Sequence, residues 1–228
     1  MFNNCTSLTQ APALPAKTLS TSCYSYMLDG CSNLTAAPAL PAMTLASSCY
    51  YNMFSRCSNL TQAPALPATE LASSCYFNMF SGCSSLNQAP ALPATTLANH
   101  CYYGMLAGCS SLTQAPALPA TTLASACYYS MFSGCSSLTQ SPSIKTYTSG
   151  LHAYGSMLNM HDWNTGSWGK LTTFNWPDLT LSEAESMVLN EFIFGYEDPW
   201  DSISITCKDG SGVAYFNSEK SSWVFILI

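Results

Sequence analysis

The sequence predicts an α/β repeat solenoid of 26-residue units, each a short strand followed by a short helix, closed by a small α+β C-terminal module. Three observations carry this reading. Cys5, Cys31, Cys57, Cys83, Cys109 and Cys135 recur at intervals of 26, as do Cys23, Cys49, Cys75, Cys101 and Cys127. Prolines punctuate each interval at the same places. Beyond about residue 164 the period is lost and tryptophans appear.

Residues 57–82 illustrate one unit. The run 60–67, LTQAPALP, carries two prolines that a helix interior would not tolerate, so it is read as extended. Leu60, Pro64 and Leu66 share one face at period two. Thr69 or its neighbour caps an expected helix whose inner row is Leu71, Cys75 and Met79, at steps of four. Gly82 ends it, with Gly30, Gly108 and Gly134 in the same slot, whereas Arg56 breaks the rule and implies a different closure. Stacking of neighbours then makes one continuous core, with equivalent residues about 5 Å apart at the strands and about 10 Å apart at the helices.

Met1-Phe2 enters a unit already under way, so the array reads as cut at its N-terminus. It decays through a degenerate sixth unit in which Tyr154 and Met157 keep the period, while Ala153 and His161 replace cysteines. The expected domains are therefore 1–164, the array, and 165–228, the C-terminal module. In the latter, Thr180 and Glu183 form a capping box that opens a helix to about Phe192. Residues 202–207 alternate like a strand, 208–212 turn it into a second strand, and 223–228 make a third.

Charged residues are only 8 % of the 228, and the net charge is −6. Residues 1–140 hold just Lys17, Arg56, Asp29 and Glu70, which sum to zero, so the acidity lies in 141–228. Without a basic stripe, nucleic-acid binding is not expected. No apolar run reaches the ~18 residues of a membrane span, and Met1 opens onto Phe2-Asn3-Asn4-Cys5, without the basic and apolar stretches of a signal peptide. The hydrophobic content of 48 % excludes a disordered tail.

The run 108–138, GCSSLTQAPALPATTLASACYYSMFSGCSSL, resembles leucine-rich repeats of the BspA type, also called the Treponema pallidum type. The likeness covers about residues 1–140, five times in register. It implies a nonenzymatic surface protein used for adhesion, of gut or oral bacteria, protozoa or their phages. The implied location is the cell surface or medium, or the virion if phage-encoded. The implied partner is a host or cell-surface protein or glycan, and self-association through the array is a further expectation.

Neither the cysteines nor the histidines imply a cofactor or metal. On a helix, Cys49 and Cys57 would lie about 12 Å apart, and equivalent helical positions about 8–10 Å apart, beyond disulfide reach. Buried free thiols are expected, with pairing along the Cys31–Cys57–Cys83 row as the alternative. No CxxC spacing occurs for zinc. His100 reads as a surface substitution. His161-Asp162 near His152 lacks a third ligand, and 197–201, EDPWD, lacks alternating calcium ligands. No phosphate loop, nucleophile elbow or HExxH is present. No catalytic residue is assigned.

Two aromatic rows remain. Tyr24, Tyr50, Tyr76, Tyr102, Tyr128 and Tyr154 follow the inner cysteines and read as core. Tyr51, Phe77, Tyr103 and Tyr129 lie among Ser and Asn, and read either as packing between repeats or as an exposed strip for protein or sugar. These four are the candidate binding residues. The alternative function makes the array a spacer that presents an acidic C-terminal module with its own binding or hydrolytic activity.

Overall fold

The computed structural model describes residues 1–159, 161–162, 167–168, 171, 173–191, 203–217 and 222–227. Across residues 1–159 the chain winds so that each 26-residue unit lies directly on the next. One wall of every coil is a ladder of backbone hydrogen bonds. Ser48, Tyr50, Asn52, Phe54 and Arg56 donate their N–H groups to the carbonyls of Ser73, Cys75, Phe77, Met79 and Ser81, at 2.6–3.0 Å. The register continues into the degenerate unit, where Tyr128 donates to Ala153 and Phe132 to Met157.

The expected helix of each unit does not form. Among the described residues the one helix is α1, Leu181–Glu191, and Thr69 caps nothing. In its place the chain folds as a ribbon of consecutive four-residue turns. Cys49, Tyr51, Met53, Ser55 and Cys57 donate back to Ala46, Ser48, Tyr50, Asn52 and Phe54, three residues earlier, at 3.1–3.2 Å. Odd-numbered N–H groups thus close turns within a coil, and even-numbered ones bind the next coil. Every N–H from 48 to 57 is satisfied, as a buried wall requires.

Each such ribbon needs a left-handed residue every fourth position. Ser48, Asn52 and Arg56 have φ of 56°, 53° and 60°, and Ser74, Asn78 and Gly82 repeat the set one unit on. These residues sit third in their turns, where a type II turn demands positive φ. Glycine, asparagine and serine in these slots are the chemical cost of the ribbon. Arg56 is closed like its glycine counterparts, contrary to the different closure expected. Its guanidinium reaches back to Asp29 in the preceding coil, with Nε–Oδ1 at 3.1 Å and Nη2–Oδ2 at 2.8 Å. Asp29 is buried, at 3 % exposure, and stands where other units carry serine or alanine, or asparagine in the first and last (Asn3, Asn159).

Because the coils are joined by hydrogen bonds on this wall, equivalent side chains stack closely. Tyr50 and Tyr76 lie 5.7 Å apart between ring centroids, 4° from parallel, and Phe54 and Phe80 lie 5.5 Å apart. The 10 Å step expected for helices is therefore overturned. Parallel planes at such separations are offset stacks, each worth about 0.5–1.5 kcal/mol beyond area burial. Met53, Met79, Met105 and Met131 are fully buried between these rows.

The cysteines line the same core. All twelve are free thiols, and all but Cys5 and Cys23 are buried. Close stacking removes the separation argument that had set neighbouring thiols beyond bridging distance. What holds one row instead is a hydrogen bond to the coil before: Cys57 Sγ donates to the Leu28 carbonyl at 3.2 Å, and Cys83 to Phe54 at 3.0 Å. Burial pushes Cys57, Cys75 and Cys135 up to about 12 and Cys49 up to about 11.

The remainder of each coil is extended and only lightly paired. Isolated parallel bridges join Gln62 to Gln88, Glu70 to Thr96 and Thr96 to Thr122. Leu60 and Leu66 are buried, at 0 % and 4 %, while the intervening Pro64 is half-buried. Prolines deprive the ladder of donors here.

The C-terminal module prolongs this ladder. Gln140 bridges Thr173 in parallel, and Ser141 donates its N–H to the Thr173 carbonyl at 2.9 Å. Strand β3 (Thr173–Trp176) then pairs in parallel with β4 (Ile203–Cys207), followed by antiparallel β5 (Gly210–Asn217) and β6 (Ser222–Leu227). Trp176 is fully buried and its indole N–H donates to the Pro142 carbonyl at 3.2 Å. A two-residue antiparallel pair, β1 (His161–Asp162) with β2 (Ser167–Trp168), precedes the sheet. The capping box of α1 is formed: Thr180 N–H donates to Glu183 Oε2 at 2.7 Å, and Glu183 N–H to Thr180 Oγ1 at 3.2 Å. Among the described residues no helix is long and apolar enough to cross a membrane.

Candidate binding surface

The turn ribbon buries residues in adjacent pairs, Cys49-Tyr50 and Met53-Phe54. Ser48, Tyr51 and Asn52 are half-buried, Ser47 and Arg56 are exposed, and Ser55 is buried. The stacking of coils therefore brings Tyr51, Phe77, Tyr103 and Tyr129 into one column. Successive centroids are 4.5, 4.5 and 5.0 Å apart, with planes within 5–10° of parallel. All four are half-buried. The rings pack on one another between repeats and keep part of their surface exposed.

This packing decides what the column can recognise. Ring faces are occupied by neighbouring rings, so neither sugar stacking nor a cation over a ring face is accommodated within the column. Ring edges and tyrosine hydroxyls are what remain. Desolvation raises the phenols of Tyr51 and Tyr103 above the ordinary tyrosine range, so both present neutral hydroxyls.

The column has ends that sequence reasoning missed. Tyr26 stands one residue out of register, in the slot of Asn52, yet its ring leans on Tyr51 at 5.4 Å and 47°. At the other end the slot is Gly155, where the Tyr129 ring occupies the space a Cβ would need. The displaced tyrosine of the first unit and the glycine of the last are visible in the sequence once the period is known.

A second feature was also missed. Where the prolines interrupt the ladder, shallow grooves open between successive coils. One of about 400 Å³ is lined by Ala37, Ala39, Leu40, Pro41, Pro64, Ala65 and Pro67. Its counterpart of about 380 Å³ lies among Pro90, Ala91, Pro93, Pro116, Ala117 and Pro119. A neighbouring polar groove of about 480 Å³ runs between Asn87-Gln88 and Thr113-Gln114.

The groups considered for catalysis or metal binding do not assemble. His100 and His152 occupy left-handed slots of the ribbon, with φ of 56° and 48°, conformations that histidine tolerates better than most residues. His100 is half-buried, its ring 6.0 Å from Tyr103. His161–Asp162 forms β1, and 197–201 lies outside the described residues. Among the described residues, no three His, Cys, Asp or Glu side chains gather as a metal would require.

No protein-family model, curated protein or solved structure matches the chain.

Proposed function

We propose that the chain is a nonenzymatic recognition protein whose stacked units form a repeat solenoid of the leucine-rich-repeat class, acting in adhesion at a cell surface, in the medium or on a virion. The observation that carries the reading is the column Tyr51, Phe77, Tyr103 and Tyr129: a straight, half-buried aromatic edge set in a wall of serine and asparagine. Such a column offers rigid amphipathic contact area whose ordering cost is already met by stacking. Its repetition multiplies modest contacts by avidity. Free surface thiols, histidine clusters and metal sites take no part in the reading.

The partner class is a cell-surface protein or glycan met through edge contacts and hydroxyl hydrogen bonds. With four charges in residues 1–140, steering is weak, so association should change little with ionic strength. The test is binding of the full chain to arrayed glycans and cell-surface proteins, in low and high salt, beside a variant with all four column residues changed to Ser. Loss of the three stacks should lower the melting temperature of the variant, so binding is measured at a temperature where circular dichroism shows it folded. Binding lost by the folded variant supports the column, and binding retained overturns it.

A further inference from the structure

We propose that Asn33 and Asn59 are acceptor sites for N-linked glycan, facing outward at the same corner of two adjacent coils. The inference rests on the surface or secreted setting of the reading above, because a chain meets the glycan transferase on the export route. The acceptor motif is Asn-x-Ser/Thr with x other than proline. The chain holds three: Asn4-Cys5-Thr6, Asn33-Leu34-Thr35 and Asn59-Leu60-Thr61. The last two fall at one position of the 26-residue period. In both, the middle leucine is buried, at 0 %, while the asparagine and the threonine are exposed. With the leucine drawn into the core, the amide and the hydroxyl on either side of it stand together on the surface.

The backbone fixes this corner. Leu34 and Leu60 donate their N–H groups to the Cys31 and Cys57 carbonyls at 3.0 Å, and the Asn59 N–H reaches the Ser32 carbonyl at 3.2 Å. The side-chain amides touch only each other in the folded chain: Asn59 Nδ2 donates to Asn33 Oδ1 at 3.2 Å, on the exposed surface. Ser7 and Ser85 hold the same position in the coils on either side, so small side chains flank the pair. Asn4-Cys5-Thr6 is built differently. All three of its residues are exposed, and the Asn4 side chain lies over Gly30, with its Oδ1 in the space a Cβ would need. In the transfer, an asparagine Nδ2 attacks the anomeric carbon of an oligosaccharide carried on a lipid pyrophosphate. The N–C bond forms, the C–O bond to the pyrophosphate breaks, the amide releases one proton, and the lipid pyrophosphate leaves. A glycan here also answers a property of the array. Four charges in residues 1–140 give copies little mutual repulsion, and a bulky hydrated sugar chain keeps them apart by its volume.

The test directs the full chain through a eukaryotic secretory route with an added leader. The product is treated with peptide N-glycosidase in heavy-oxygen water and mapped by mass spectrometry. Heavy aspartate should appear at position 33, at position 59 or at both, and the untreated glycoprotein should melt in one cooperative transition by circular dichroism. Asn33→Gln/Asn59→Gln and Thr35→Val/Thr61→Val should lose the glycan, whereas Thr35→Ser/Thr61→Ser should keep it. A folded chain unmodified at both positions overturns the proposal. So does a glycan found at Asn4 alone, one that persists in the valine variant, or a glycoprotein without a cooperative transition. Glycan and protein binding by the aromatic column is measured on the Asn33→Gln/Asn59→Gln chain. A modified parent whose glycan-free variant binds nothing keeps the acceptor sites and sinks the column reading, and binding by a parent that is never modified does the reverse.

Discussion

Replacing Arg56 by glycine sets two opposing effects against each other in a place where the structure allows both to be sized. Arg56 holds φ at 60° in a slot that Gly30, Gly82, Gly108 and Gly134 fill elsewhere, with Asn4 in the first coil. Glycine there would relieve about 1 kcal/mol of left-handed strain. Against this stands the loss of two charge-assisted contacts to Asp29, at 3.1 and 2.8 Å. The arginine side chain is 62 % exposed and the aspartate 5 %, so solvent screens one partner and the pair is worth about 2 kcal/mol rather than the larger value of a fully buried bridge. Asn3, at 3.3 Å, is the aspartate's remaining side-chain donor. Arg56→Gly should therefore destabilise by about 1 kcal/mol, a fall of about 2–4 °C in a chain of this size. Asp29→Ser alone should also destabilise. The double variant restores the Ser and Gly of other units and should equal or exceed the parent, giving a coupling of about 2 kcal/mol in a double-mutant cycle. The measurement is thermal unfolding followed by circular dichroism, with and without 1 M salt. If Arg56→Gly alone raises the melting temperature, the pair contributes nothing and the argument fails.

Four further outcomes are expected. Under native conditions near neutral pH a thiol reagent should label Cys5 and Cys23 and leave the ten buried cysteines, with all twelve titrating after denaturation; labelling of Cys83 in the folded chain would contradict its burial. Because burial lifts Cys57, Cys75 and Cys135 from 9.0 to about 12, the unfolded chain loses protons first. Stability should be flat below pH 9 and fall between pH 9 and 12 by up to about 1.4 kcal/mol per unit for each such thiol; urea titrations across that range would show it. Gly108→Ala, whose Cβ meets only ordinary contacts at 3.4 Å from the Gly82 nitrogen, should cost about 1 kcal/mol of left-handed strain; Gly104→Ala should cost more, because its Cβ would overlap Asn78 Oδ1, and equal losses in urea midpoints would refute the distinction. Trp176→Ala should cost about 3–5 kcal/mol by emptying the junction beneath Pro142, and a smaller loss would mean that the C-terminal module adds little to the array.

Much of the array was legible because its period is written in cysteine and methionine. Most inward residues were read from the sequence: Leu60, Leu66, Cys75 and Met79 are buried, while Pro64 and Leu71 of the same expected rows are half-buried. Their secondary structure was misread because a ribbon of four-residue turns repeats every four residues, close to the 3.6 of a helix. Two features distinguish the patterns. Inward residues come in adjacent pairs, Cys75-Tyr76 and Met79-Phe80, where a helix would carry the second member round its side. Every fourth outward residue, as in Ser74, Asn78 and Gly82, is one that accepts positive φ. The four candidate residues stand in one row at the 26-residue step, but the stacking of their ring faces could not be read without the true step between coils. The proline grooves were hidden for the same reason, since they belong to no single unit. In the C-terminal module the capping box and the hairpin were readable locally. The parallel pairing of Gln140 with Thr173, 33 residues away, left no periodic mark.

The alternation of backbone donors between turn and neighbour has a mechanical consequence. A pull along the array loads the inter-coil hydrogen bonds end-on, so that they open one after another rather than in shear. Each coil that detaches frees 26 residues, which extend by about 90 Å at full stretch. Five nearly identical coils would yield in nearly identical increments, at similar forces, and each could re-form on its neighbour's exposed carbonyls. Held at both ends, such a chain behaves as a ratcheted tether that lengthens under load without losing the contacts made by the coils still stacked.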